Sequence, residues 1–159
     1  MEAVEILARE AGMPMPARDP KAAEAAKKRA GLTDVMELAV RYFRTQLNGA
    51  RAAEARAYID RRGLTAETVE RFEIGFAPDA RTQLFDHLRG KDISPEMILD
   101  TGLCIKPDDG GAPYDRFRGR IMFPIRDARG RCISFGGRAM APHARAQYLN
   151  GPDTTLYDK

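Results

Sequence analysis

Cysteine and histidine, the side chains of zinc sites and disulfides, are scarce in this sequence. It has two cysteines, Cys104 and Cys132, and two histidines, His87 and His143. No CxxC or CxxH pair occurs, so the spacing gives neither a zinc site nor a disulfide framework. Both cysteines sit in apolar, strand-like surroundings (LCI and RCIS), which predicts buried reduced thiols. Long hydrophobic runs are missing too. No stretch approaches a membrane span or a signal-peptide core. The expectation is therefore a cytoplasmic protein with no membrane partner. Catalytic patterns are equally absent: no P-loop, no GxGxxG after a strand, no nucleophile elbow, no supportable Ser-His-Asp spacing. "PDDGG" (107–111) sets two carboxylates side by side, but between two strands it reads as a hairpin turn. From its residues alone the chain offers a binding surface, with no catalytic residue and no metal site.

What is present is a core and a concentrated charge. The 159 residues, 43% hydrophobic and 31% charged, suit one domain of ordinary size plus short extras. The net charge of +3 is unevenly spread. Tyr114–Met140 holds seven arginines (116, 118, 120, 126, 129, 131 and 138) and two acids, Asp115 and Asp127, a balance of +5 that leaves −2 elsewhere. Such a concentration suggests a polyanion partner. The alternative is a solvated arginine face.

Hydrophobic spacing gives helices first and strands after. Glu2–Gly12 reads as a helix, "MPMPARDP" (13–20) as a linker, and Lys21–Ala30 as a short Ala-rich helix. From Thr33, a plausible N-cap, residues Val35, Leu38, Ala39, Tyr42, Phe43 and Leu47 share one helical face. Asn48-Gly49 interrupts. A helix from Ala50 to about Arg61 stops at Gly63, and Thr65 caps a short one through Phe72 with Val69 and Phe72 inward. "IGFAPD" (74–79) reads as a turn. Helices at about Arg81–Arg89 and at Pro95–Thr101 follow, the second capped by Ser94 and stopped by Gly102. Then "LCI", "RIMFPIR" and "RCISFGG" read as strands, the last two joined by a "DARG" hairpin. Pro124 implies an edge or a bulge. The tail from Ala146 reads as irregular. The fold class is α+β: N-terminal helices followed by a small, mostly antiparallel sheet.

Within this frame "FGGR" (135–138) is notable. Two glycines allow close backbone approach, and Arg138 adds a guanidinium, a combination suited to phosphate. A glycine bulge closing a sheet is the competing reading. Tyr148 and Asn150 of "YLN" add an aromatic face and an amide. Basic groups interleaved with an aromatic make up a single-strand groove.

Three segments carry a resemblance. "YIDRRGLTAETVERFEIGFAPD" (Tyr58–Asp79), "YDRFRGRIMFPIRDARGRCISFGGR" (Tyr114–Arg138) and "YLNGPDT", which begins at Tyr148, occur in the order found in bacterial DNA primases. "EAVEILAREAGMPMP" resembles the end of that family's zinc domain and the following linker. The resemblance implies an enzyme, a DNA-directed RNA polymerase that makes short RNA primers on single-stranded DNA during replication. It implies residues 1–12 as a remnant helix of the zinc-binding domain, 13–22 as linker and 23–159 as the N-terminal subdomain of the catalytic core. It implies that the metal-holding carboxylates lie in a TOPRIM subdomain beyond this sequence, so that the fragment alone is inactive. No cofactor is expected in this stretch; the longer family protein uses magnesium in TOPRIM and structural zinc in its N-terminal domain. Single-stranded DNA template, ribonucleoside triphosphates, RNA primer and, through a C-terminal domain, the replicative helicase are the implied partners.

Carried over by motif, Arg62, Arg116, Arg118, Arg120, Arg138, Tyr148 and Asn150 are the nucleic-acid- or nucleotide-binding residues. Arg126, Arg129 and Arg131 are expected to be hairpin-surface charges. Where the family usually has a lysine before "YLN", this chain has Gln147, with Arg145 two residues earlier. A stand-alone single-stranded nucleic-acid-binding module without catalysis is the alternative reading.

Overall fold

The computed structural model describes residues 20–140, 147–154, 156 and 157. The expected first helix, most of the expected linker, His143 and Arg145 lie outside the described residues.

Helix α1 spans Pro20–Leu47 without a break. Two helices with Thr33 as a cap were expected, and Gly31 and Thr33 instead lie inside one. Glycine inside a helix costs about 1 kcal/mol relative to alanine. The alanine- and lysine-rich residues before it and the packed face after it outweigh that cost. Residues 20–30 are exposed, whereas Leu32, Val35, Met36, Ala39, Val40, Tyr42, Phe43 and Leu47 are buried. Residues 32–159 form a compact unit by themselves.

A 3-10 turn at Ala50–Ala52 leads into α2 (Ala53–Arg61), and Gly63 at φ +77° reverses the chain. Helix α3 (Ala66–Arg71) is capped by the Thr65 hydroxyl, which accepts from the Thr68 N–H at 3.1 Å. Val69 is half-buried, but Phe72 is 57% exposed rather than inward. The helix ends at Arg71, and Glu73 at φ +56° turns the chain before Phe72 can join the packed face. Helices α4 (Gln83–Arg89) and α5 (Pro95–Asp100) follow, the latter capped by Ser94 as its sequence predicts.

The strands are β1 (Gly75–Ala77), β2 (Cys104–Ile105), β3 (Tyr114–Asp115), β4 (Arg120–Arg126), β5 (Cys132–Ala139) and β6 (Tyr148–Asn150). They form an antiparallel four-stranded sheet in the order β1-β4-β5-β6 and a β2–β3 hairpin. The observed fold is the α+β arrangement expected: helices first, then a small antiparallel sheet. Three short strands differ from expectation, and the first is Tyr114–Asp115, β3, where no strand was expected. The "GFA" of the supposed turn is β1, and the "YLN" of the supposedly irregular tail is β6. Gly75 permits β1, because a Cβ there would lie 2.6 Å from the Phe43 backbone. Pro124 sits in an interior strand. However, β1 pairs only as far as Met122, and a register shift follows between Ile125 and Arg126. The missing N–H thus falls where β4 has a single neighbour.

Alternation along β4 separates two apolar layers. Met122 joins Phe43, Phe117, Cys132 and Phe135 in the larger cluster, where the Phe43 and Phe135 rings meet edge-on at 5.2 Å. Ile121 joins Phe76, Ile59 and Leu47 in the smaller one, with Phe123 and Tyr58 packed against it. Each fully buried phenylalanine contributes roughly 1.5–3 kcal/mol. Both cysteines are free and buried, as expected. Desolvation, the main cause in each, raises both thiol pKa values, that of Cys132 to about 12. These thiols are unreactive packing groups.

Candidate nucleic-acid interface

The segment "YDRFRGR" is fixed by its non-basic members. Asp115 is buried, and its carboxylate accepts from the Leu84 N–H at 2.8 Å and the Phe85 N–H at 3.0 Å. It thus satisfies the first turn of α4, which Thr82 does not cap. Burial raises the Asp115 pKa, while these two hydrogen bonds oppose the rise. Phe117 is buried in the larger apolar cluster. Gly119, at φ +63°, donates to the Ala77 carbonyl at 2.8 Å. With 115 and 117 held inward, Arg116 and Arg118 project from the other side of the segment.

Arg116 is half-buried and donates to the Asn150 carbonyl at 2.9 Å. Its Nε is buried without a hydrogen-bond partner. Arg120 donates to the Gly137 carbonyl at 3.1 Å. Burial lowers the pKa of both guanidiniums; for Arg120 the neighbouring Arg116 charge adds to the effect. Arg118 is exposed, its guanidinium carbon 5.6 Å from the Tyr114 ring centre, and Arg81 lies over the same ring at 4.6 Å. Gly137 leaves room for this arrangement, since a Cβ there would lie 3.0 Å from Arg120 Cδ and 2.9 Å from the Phe117 ring.

A second group forms on the other face of the sheet. Arg138 pairs in register with Ile121 and with Tyr148, so these side chains share a face, opposite to that of Arg120 and Gly137. Arg138 Nε donates to the Tyr58 hydroxyl at 2.7 Å, and Arg62 Nη2 donates to the same oxygen at 3.0 Å. Tyr148 is 48% exposed. Its ring lies across Gly136, where any side chain would collide with it. Asn150 pairs with Gly136 on this face and contributes its carbonyl to Arg116.

The structure therefore brings Arg62, Arg138 and Tyr148 together on one face. Arg116, Arg118 and Arg120 form a group at the same end of the β4–β5 pair, with Arg120 on the opposite face. None of the five arginines has a carboxylate partner among the described residues, in contrast to Arg44, Arg126 and Arg131. Arg126, expected as a hairpin-surface charge, is instead half-buried and paired with acids from distant parts of the chain. It binds Glu37 at 2.6 Å and Glu73 at 2.8 Å, and donates to the Gly130 carbonyl at 2.7 Å. The hydrogen bond from Arg126 is the main cause of the lowered Glu37 pKa, against the opposing pull of burial. Arg129 and Arg131 are exposed on the hairpin as expected, Arg131 paired with Asp127 at 2.9 Å.

Sequence reasoning passed over Tyr58, Tyr114 and Arg81. The two tyrosines open the quoted motifs; Tyr114 is met by the guanidiniums of Arg81 and Arg118, and the Tyr58 hydroxyl by those of Arg62 and Arg138. Spacing carries no signal of that convergence. Among the described residues no group of three or more His, Cys, Asp or Glu side chains could hold a metal ion. No described helix is long and apolar enough to cross a membrane.

Comparison with known proteins follows the same lines. The family described as DNA primase catalytic core, N-terminal domain, matches residues 42–159. The DNA primase of Pseudomonas aeruginosa is 39% identical over 163 residues, covering 99% of this chain and 24% of that protein. The solved DnaG primase catalytic domain bound to single-stranded DNA superposes with a TM-score of 0.76 at 38% identity, covering 84% of this chain and 41% of that one. The RNA polymerase domain of Mycobacterium tuberculosis primase DnaG, in complex with a double-stranded DNA oligomer with a 6-nucleotide overhang, gives 0.75 at 33%, covering 80% and 40%. The chain spans about a quarter of the length of the curated primases it matches. By its sheet, its motif order and these matches, the chain belongs to the family of the DNA primase catalytic core, N-terminal domain.

Proposed function

We propose that this chain is the template- and nucleotide-holding part of a DNA primase. Residues 23–159 act as the N-terminal subdomain of the catalytic core, and residues 13–22 act as the linker before it. The observation that carries the reading is the end of the β4–β5 pair. There Arg62, Arg116, Arg118, Arg120 and Arg138 gather without carboxylate partners around two glycines and the exposed Tyr148. Arg116, Arg120 and Arg138 are half-buried as well as without an acid; such guanidiniums favour an anion, and a phosphate accepts two N–H bonds from one Arg. An exposed tyrosine beside them offers a stacking face for a base.

Contact to phosphate makes the recognition independent of sequence. The two arginine groups would guide a single strand of template, the RNA primer paired to it, or ribonucleoside triphosphates. Metal-dependent bond formation is assigned to other parts of the primase, as is docking to the replicative helicase. A replisome location follows from the same reading.

Titration of fluorescent single-stranded DNA at several salt concentrations tests the proposal. Binding is expected to weaken linearly on a log–log plot, each neutralised phosphate contributing about −0.7 to the slope. No binding at low salt would instead favour a solvated arginine face with a structural role. The purified chain alone is expected to make no primer.

A further inference from the structure

Tyr58 stands between two arginines that come from different parts of the fold. Arg62 follows the end of α2, and Arg138 lies in β5. Their donors reach the same phenolic oxygen, at 3.0 and 2.7 Å. The Arg62 guanidinium also lies over the Tyr58 ring, 5.2 Å from its centre, with that of Arg61 at 6.0 Å. A phenol oxygen accepts two hydrogen bonds, so both of its acceptor positions are used by these guanidiniums. Two like charges converging on one neutral oxygen is an unfavourable arrangement by itself, since each repels the other. An anion placed beside them adds an attraction to each that outweighs their mutual repulsion. Burial raises the Tyr58 pKa, but the hydrogen bonds and charges of Arg138 and Arg62 outweigh it, so the net shift is downward.

We propose that Tyr58 is a positioning residue, whose hydroxyl holds the Arg62 and Arg138 guanidiniums together for one phosphate group. The inference rests on the reading of this surface given above. Long arginine side chains lose rotamer freedom when they engage a ligand, and a fixed oxygen removes part of that loss beforehand. The phosphate is supplied either by a nucleic-acid phosphodiester or by a nucleoside triphosphate, which offer the same oxygens.

The test is Tyr58→Phe, which keeps the ring and its packing against the smaller apolar cluster. Labelled oligo-dT and ATP are titrated in parallel, and melting temperature is measured alongside. Affinity is expected to fall about fivefold for the probe whose phosphate uses the site, with melting unchanged. In an Arg62→Ala/Arg138→Ala background the same change is expected to have no further effect on that probe. A loss with oligo-dT assigns the site to the strand, and a loss with ATP assigns it to the triphosphate. Unchanged affinity for both probes, with wild-type binding intact, overturns the positioning role alone. An equal loss in the doubly substituted background also overturns it. Failure of the wild type to bind either probe removes the functional reading, and this inference with it.

Discussion

The two ends of the β4–β5 pair treat arginine in opposite ways. At the hairpin end, Arg126 is tied to Glu37 and Glu73, and Arg131 to Asp127. At the other end, Arg120 and Arg138 are half-buried and meet only carbonyl and phenol oxygens. Arg116, just before β4, is also half-buried and bonds a carbonyl. The first arrangement neutralises charge within the fold. The second leaves positive charge that an external anion would neutralise. The same residue type in one short segment thus supports stability at one end and, in our proposal, binding at the other.

Asp115 orders the segment bearing Arg116 and Arg118, so its loss is expected to have the largest effect. Asp115→Ala leaves the Leu84 and Phe85 N–H groups buried without acceptors. It is expected to cost about 2–4 kcal/mol in urea unfolding. A loss under 1 kcal/mol would mean that the carboxylate is not the cap of α4.

Arg126→Ala sharpens the contrast directly. It removes two ion pairs and a carbonyl contact, and is expected to destabilise by about 1–2 kcal/mol. Single-strand affinity is expected to stay within twofold. A large affinity loss would show that the hairpin end also contacts the strand.

A smaller effect separates the carboxylates at the two ends by pH. The folded-state pKa of Glu37 is lowered, chiefly by its hydrogen bond from Arg126. Its stabilisation is therefore fully present above the ordinary value of 4.5 and fades as pH falls through the depressed one. Asp115 has a raised pKa, so its protonation follows the opposite sign and favours the folded state as pH falls. Glu37→Gln is expected to lower the melting temperature modestly at pH 7, with the difference from wild type shrinking towards pH 3. The carboxylate is partly exposed, so the effect is about 1 kcal/mol or less. A difference constant with pH would remove the ion pair as its cause.

The sequence made most of the helices legible because caps and stops were strong: Thr65, Ser94-Pro95, Gly63 and Gly102 all act as their residue types predict. It made the β4–β5 hairpin legible through alternation and "DARG". Strands of three residues were not legible, since neither "GFA" nor "YLN" is long enough to show a period, and each depends on a distant partner. The exposure of Phe72 depended on a backbone turn at Glu73 that no pattern announces. Local charge composition could not distinguish Arg126 from Arg138. The acids that claim Arg126 lie at positions 37 and 73, far away in the chain. For the same reason the meeting of Arg62 and Arg138 on Tyr58 was hidden, although all three lie in the motifs that identified the family.

In our proposal the unpaired end of β4–β5 contacts phosphate and the paired end does not. The salt dependence of single-stranded DNA binding, measured for Arg138→Ala and Arg126→Ala beside the wild type, tests it most directly. A slope smaller by about 0.7 is expected for Arg138→Ala, uniformly across DNA sequences, and an unchanged slope for Arg126→Ala. Equal slopes for all three proteins would contradict it.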